Sequence, residues 1–377
     1  MSRRLLLCAL ALLVGCAAGP TPPAAVTTDS ASSLRLIGMQ QLRPDLRVQD
    51  TLVGGISGMD YDAASGDWLL VSDDRGQHGP ARFYRARIAY DGETVGDVAI
   101  GAMVALRQPD DSLYPAWGRP GVSADLEALR IDPVDGGIWV TSEGDRKARV
   151  PAFVRRVDAD GRHAGELPYP AALQIQPDCE CGGRSNQGME GMSFSQDGRH
   201  LWLALEGPPI QDGPLAGPGQ GALTRFTLAQ RDGTIVAQYV YPLDAAPAPA
   251  FRGGFVDNGI SEVLVVGARR LLVLERAGRQ IAGREFVFDT RLYEVDFAQA
   301  STFDPDAPLE PARVTPGVKR LLFATAQLPQ GWADNYEAMA WGPPLADGRR
   351  SLVIASDNNF NGGPTRFLVF DAGLPQD

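Results

Sequence analysis

Acidic residues recur in this chain at places where chemistry could be built. Glu127, Glu190, Glu262 and Glu337 each stand near the start of a short apolar run, and Ser57 holds the same place in an earlier run. A second acidic set follows. Asp73, Glu143 and Glu206 lie 16 residues after Ser57, Glu127 and Glu190 (73 − 57, 143 − 127, 206 − 190), while the interval is 13 from Glu262 to Glu275 and 20 from Glu337 to Asp357. Carboxylates gathered in one place repel one another and cannot all stay ionised without compensation. A hard divalent cation supplies that compensation, and Ca2+ accepts roughly six to eight oxygens in flexible geometry. Ser57, Glu127, Glu190, Glu262 and Glu337 are therefore the expected metal site. The alternative is a set of acids satisfied by backbone N–H groups.

Polar residues of other kinds accompany the second set. Asp74 and Arg75 follow Asp73, Arg146 and Lys147 follow Glu143, and Arg184 and Asn186 precede Glu190. Asn358, Asn359 and Arg366 belong to the last unit. Arginines around a metal-bearing acidic centre can orient an anionic ester. Asp74, Arg75, Arg146, Arg184, Asn358 and Arg366 are thus candidate substrate contacts, with Glu206 or Glu143 as general base. Taken singly, each arginine reads equally well as half of a rim ion pair. Other chemistries find less support. Of the 3 histidines, only His78 falls near these residues. No Gly-x-Ser-x-Gly elbow, phosphate-binding loop or zinc motif is present.

The elements that must carry these residues are short and repetitive. Met189–Phe194 and His200–Leu205 flank an Asp197-Gly198 turn and read as an antiparallel hairpin. The same unit recurs after Gly55, Asp125, Gly259 and Asn335, with first-set residues spaced 63 to 75 apart (190 − 127, 337 − 262). Each unit holds about four strand candidates, which predicts an all-β fold, a β-propeller of five four-stranded blades, with six as the alternative. A sixth blade would have to come from the segments around Glu285 and 299–315. The last unit lacks an outer strand, and Leu34–Leu42 is a strand without a unit. A ring closed by that N-terminal strand satisfies both and protects the strand edges. The inner strands then converge on the axis, and both acidic sets emerge on one face.

Composition agrees with a single large β domain. The 377 residues are 44% hydrophobic and 21% charged, with 43 Gly and 29 Pro to serve many turns. A formal net charge of −11 excludes a nucleic-acid partner, whose phosphates require a basic face, and suits cations. Met1–Arg4 is basic, Leu5–Val14 is apolar, and Leu13-Val14-Gly15-Cys16 follows. This reads as a secretory leader over 1–15 ending in a lipobox, with lipidation at Cys16 and a Pro/Ala/Thr/Ser tether over 16–33 before the propeller at 34–377. Such a protein faces the bacterial envelope, anchored in the outer membrane through lipid alone. Of the remaining cysteines, Cys179 and Cys181 read as a disulfide that pins the loop before the third unit.

The set Ile-Ser-Gly-Met-Asp-Tyr, Asp-Leu-Glu-Ala-Leu, Gln-Gly-Met-Glu-Gly-Met, Gly-Ile-Ser-Glu and Asn-Tyr-Glu-Ala-Met resembles the phytase-like family termed "esterase-like activity of phytase", over about residues 50 to 371. The resemblance implies a secreted or envelope β-propeller and hydrolysis of phosphoric or carboxylic esters. No lysine-rich phosphate-gripping surface accompanies it, which argues against inositol hexakisphosphate. The expectation is a calcium-dependent hydrolase of a small anionic ester. The rival expectations are a non-catalytic binding propeller with a structural metal, and a sugar- or lactone-acting hydrolase.

Overall fold

The computed structural model describes residues 33–283 and 285–374. The leader, Cys16 and the tether lie outside the described residues. Five four-stranded antiparallel sheets follow one another along the chain. Their inner strands are Ile56–Asp62, Leu126–Ile131, Met189–Phe194, Val256–Val265 and Tyr336–Pro344. Each inner strand touches the next, and the fifth returns to the first, so the blades close a ring. The closure is made by Ser33–Leu42, which pairs with Thr365–Gly373 from Ser33 opposite Gly373 to Leu42 opposite Thr365. An N-terminal strand thus supplies the outer edge of the last blade, and the described residues form five four-stranded blades. The segment at Glu285 is instead the start of a long third strand, Glu285–Asp296 (12 residues), paired with a second strand of 13 residues, Arg270–Ala282. This hairpin overhangs the face of blade four. The stretch after Gln299 is a clasp: Arg225 donates to the carbonyls of Pro305 (2.8 Å) and Ala307 (2.7 Å) and pairs with buried Asp212.

Cores lie between blades, as expected for sheets that bury both faces. Trp202, Phe226, Tyr239, Tyr241 and Phe297 pack between blades three and four, with Trp202 and Phe297 rings stacked 5.7 Å apart. Met59, Trp68, Leu70 and Tyr84 meet Ala340, Val353 and Val369 across the closure. Near the axis the space is too narrow for side chains of ordinary size. A Cβ on Gly58 would stand 2.6 Å from the carbonyl oxygen of Glu127, and one on Gly191 would stand 2.9 Å from Val263.

One ion pair ties the axis together. Arg130, 3% exposed, donates to the carbonyls of Met59 (2.6 Å), Val263 (3.0 Å) and Met339 (3.2 Å), one in each of three other blades. Its partner is Glu262 at 2.8 Å, whose other oxygen accepts the N–H of Met192 in blade three. Burial pushes the Glu262 carboxyl up to about 8, with Arg130 opposing the shift. Glu262 is therefore part of the packing of the axis and not of the acidic cavity above it.

Candidate metal and substrate site

The reason Glu262 departs from expectation is a one-residue slip in blade four. Every inner strand carries a register shift near its start: between Ile56 and Gly58, Leu126 and Leu129, Met189 and Gly191, Ile260 and Glu262, and Tyr336 and Ala338. Such bulges turn an extra residue out of the ladder and re-aim its side chain. The bulged residues are Ser57, Glu127, Glu190, Ser261 and Glu337. Ser261, not Glu262, is thus the counterpart of the other four. Both serines tie neighbouring blades: Ser57 Oγ donates to Leu126 O at 2.7 Å, and Ser261 Oγ to Tyr336 O at 3.3 Å. Neither lines the acidic cavity, and the expectation of Ser57 as a ligand gives way to this role.

The second set shows the same slip. Asp73, Glu143, Glu206 and Asp357 each donate their backbone N–H to the residue two before the bulge, namely Gly55, Asp125, Gly188 and Asn335. The equivalent position in blade four, opposite Gly259, is Arg276. One arginine therefore replaces the fifth acid. Glu275, the residue expected there, is turned into the blade, where it accepts from Tyr241 Oη (2.6 Å) and pairs with Lys319.

Around the axis these residues enclose a cavity of about 340 Å3 open to solvent, lined by Asp73, Glu127, Glu143, Glu190, Glu206, Asp257, Glu337 and Asp357 together with Arg75 and Arg276. Arg276 is the centre of the charge balance. It meets Glu206 at 3.0 Å, Asp257 at 3.2 Å and Glu337 at 3.3 Å. Arg75 holds Asp125 at 2.8 Å and lies 3.8 Å from Glu143. Among the described residues no ion pair reaches Glu127 or Glu190.

Two groups of three carboxylates have ligand oxygens all within 4.8 Å of one another: Asp125, Glu127 and Glu143, and Glu143, Glu190 and Glu206. Glu143 belongs to both. Backbone closeness makes this packing feasible. A Cβ on Gly188 would stand 2.6 Å from Glu143 Cβ, and one on Gly259 would stand 2.4 Å from Glu206 Cγ. Only glycine leaves room for these acids at the axis. The clustering has an electrostatic consequence. Burial, then the neighbouring carboxylates, holds Glu127, Glu190 and Glu143 well above the usual carboxylate range. Burial pushes Glu206 up to about 8, with Arg276 opposing. Asp73 and Asp357 are raised for the same reason and by Glu337 beside them. Carboxyls shifted this way favour the protonated form, from which a cation would displace the proton, and an all-oxygen set of carboxylates is the donor chemistry a hard divalent ion requires.

A sequence profile of the phytase-like family, described as esterase-like activity of phytase, matches residues 51–360. The chain belongs to this family. No curated protein sequence matches it. Among solved structures, the crystal structure of the N-terminal domain of Nup159 is similar at a TM-score of 0.36 and 8% identity, over 92% of this chain and 96% of that one.

Within this phytase-like propeller, the expected site residues divide sharply. Glu127, Glu143, Glu190, Glu206, Glu337 and Arg75 meet in the cavity, with Asn186 and Asn359 at its wall. The remaining candidate substrate contacts have their polar ends engaged elsewhere. Asp74 pairs with buried Arg82 and accepts the N–H of His78 at 2.9 Å. Arg146 donates to the carbonyls of Cys181 (2.9 Å) and Cys179, which are joined by a disulfide. Arg184 donates to Pro208 O at 2.9 Å and Gly213 O at 2.8 Å. Asn358 accepts the Gly55 N–H at 3.2 Å and donates to Gly363 O at 3.1 Å. Arg366 pairs with Asp334. These five hold loops in place and line none of the cavity. His78 is stacked on Phe360 with ring centres 4.3 Å apart.

Arg276, Asp257, Gln187 and the phenylalanines 255, 286 and 288 also line the cavity, and Asp125 joins one of the triads, none of them expected from the sequence. Arg276 had a signal: the blade-four interval of 13 was out of step with 16, and pairing Ser261 with Arg276 restores it to 15 (276 − 261).

Proposed function

We propose that this phytase-like propeller is a calcium-dependent hydrolase of a small phosphoric ester. The observation that carries the reading is the pair of carboxylate triads sharing Glu143, whose five acids are mostly buried and four of which line a solvent-open cavity beside two arginines. Glu127, Glu143 and Glu190 would hold the ion, with Asp125 at one end. A hard divalent cation bound there supplies Lewis-acid polarisation of the ester. The expected role of Glu143 as base gives way to that of ligand, because it stands in both triads.

Glu206 keeps the role of proton acceptor. Its Oε1 is held by Arg276 at 3.0 Å and Gln187 donates to the same carboxylate, which together fix it for taking a proton from water. Arg75 and Arg276 face the cavity with side chains 25% and 15% exposed, so each can donate to an anionic oxygen while its acids orient it. The protein would act in the cell envelope, held through Cys16.

The test is turnover of p-nitrophenyl phosphate and its diester, with and without calcium. Glu206→Gln should keep calcium affinity within a few-fold and lose about 10²- to 10⁴-fold in kcat. Calcium-dependent thermal stability in a wild type that turns over no phosphoric, carboxylic or lactone ester would leave a binding propeller with a structural metal.

A further inference from the structure

The overhanging hairpin of blade four carries Phe286 and Phe288, and Phe255 directly precedes the inner strand Val256–Val265; all three lie outside the interblade cores. Phe255 is 54% exposed and Phe286 is 39% exposed. Their rings lie 6.0 Å apart edge to face, and Phe286 stacks with Phe288 at 6.2 Å. The three form one wall of the acidic cavity. Phe288 also touches its charge centre, since the Arg276 guanidinium sits 5.8 Å from the Phe288 ring. The wall continues beyond the acids. Phe286 and Phe288 line a second, adjoining cavity of about 630 Å3 with Glu285, Asn359 and Asn361. Among the described residues, the lining of that second space is two phenylalanines, two asparagines and one glutamate. Exposed apolar surface of this kind, continuous with a polar site, marks a place where a ligand completes the burial.

We propose that this wall is a subsite for the apolar alcohol portion of the substrate, so that the ester cleaved is a phosphate ester of an aryl or alkyl alcohol. The inference rests on the ester-hydrolase reading and adds the substrate class to it. The charge pattern decides between substrate types. A single phosphoryl group would meet Arg75 and Arg276, which both line the acidic cavity. Further phosphates on a polyol ring would have to lie against phenylalanine rings and the Glu285 carboxylate, which offer them no favourable contact. An apolar group placed there covers ring faces now in water, at about 25 cal/mol per Å2.

The experiment uses non-hydrolysable probes, so that binding is read without turnover. Full-length protein in saturating calcium is titrated calorimetrically with methylphosphonate and with benzylphosphonate. The expected result is binding of both, with benzylphosphonate at least about tenfold tighter. In Phe286→Ala/Phe288→Ala that preference should fall to within about twofold while the methylphosphonate Kd is unchanged. Phe286→Leu, which keeps an apolar side chain, should retain most of the preference and guards against a folding defect. Equal Kd values for the two probes in the wild type, or a preference that survives the double substitution, would overturn the subsite and leave the ester reading standing. Failure of both probes to bind in calcium would overturn both together.

Discussion

Replacing Arg276 by Gln tests the electrostatics of the cavity. The substitution removes the cation that meets Glu206, Asp257 and Glu337 and leaves these acids, in a mostly buried setting, without their partner. Removing one member of a buried ion pair costs about 3–5 kcal/mol. Unfolding entropy of about 2.1 cal/mol/K per residue gives about 0.7 kcal/mol/K for the roughly 340 residues of the propeller. The expected loss is therefore about 4–7 °C in Tm near neutral pH without calcium. The acids take up protons as pH falls, so the deficit should shrink at about pH 5. Calcium should narrow it too, by supplying positive charge beside the same carboxylates. Arg276→Lys should recover only part of the loss, because an ammonium cannot make the three-way contact of a guanidinium. Differential scanning calorimetry across pH reads all of this. A Tm for Arg276→Gln within about 1 °C of wild type near neutral pH would refute the claim that Arg276 compensates the acids.

Three further outcomes follow from the same structure. Glu262→Ala should destabilise the fold by about 3–5 kcal/mol, since it strands Arg130 in the axis, yet leave calcium affinity unchanged, whereas Glu190→Gln should weaken calcium binding about tenfold or more; calorimetric titration of the two variants separates them, and a similar loss of affinity in both would contradict the assignment. Deleting residues 33–42 removes the edge strand of blade five along with Leu42, Leu36 and Met39 from its cores, and should cost about 5 kcal/mol or prevent folding, while truncation before residue 31 should leave Tm unchanged; equal melting of the two truncations would dispose of the latch. The calcium-induced rise in Tm should grow with pH. Glu206 is pushed up to about 8, so the metal-free fold binds more protons than the unfolded chain and loses stability as pH rises from about 4.5 toward 8; calcium needs the ionised acids and offsets that loss, and a calcium shift independent of pH over this window would count against it.

Much of the fold could be read from the chain because propeller blades repeat. The Gly-Met-Glu-Gly-Met and Asp-Gly signals fixed the third hairpin, and the others followed by spacing. The orphan strand at Leu34–Leu42 and the incomplete last unit identified the closure. Three carboxylates at a regular interval of 16 placed most of the cavity for the same reason. Blade four was misread because the alignment matched residue type and not register: Glu262 and Glu275 are acids, but the bulge selects Ser261 and Arg276, one residue to either side. The rim assignments failed differently. Position on the face said nothing about whether Asp74, Arg146, Arg184, Asn358 and Arg366 would meet a ligand or a local partner, and short loops supplied the partners. The phenylalanine wall was not legible, since Phe255, just before the inner strand, meets Phe286 only through the length of the blade-four hairpin, whose segment around Glu285 the pattern offered as the source of a sixth blade.

The most direct test of the account is a crystal structure grown in calcium, with anomalous scattering used to locate the ion. The account predicts an ion within the cavity, coordinated by Glu143 and by Glu127 or Glu190, with at least one coordination position open toward Arg75 and Arg276. A cavity free of bound ion at saturating calcium, or an ion with every position filled by protein oxygens, would contradict it.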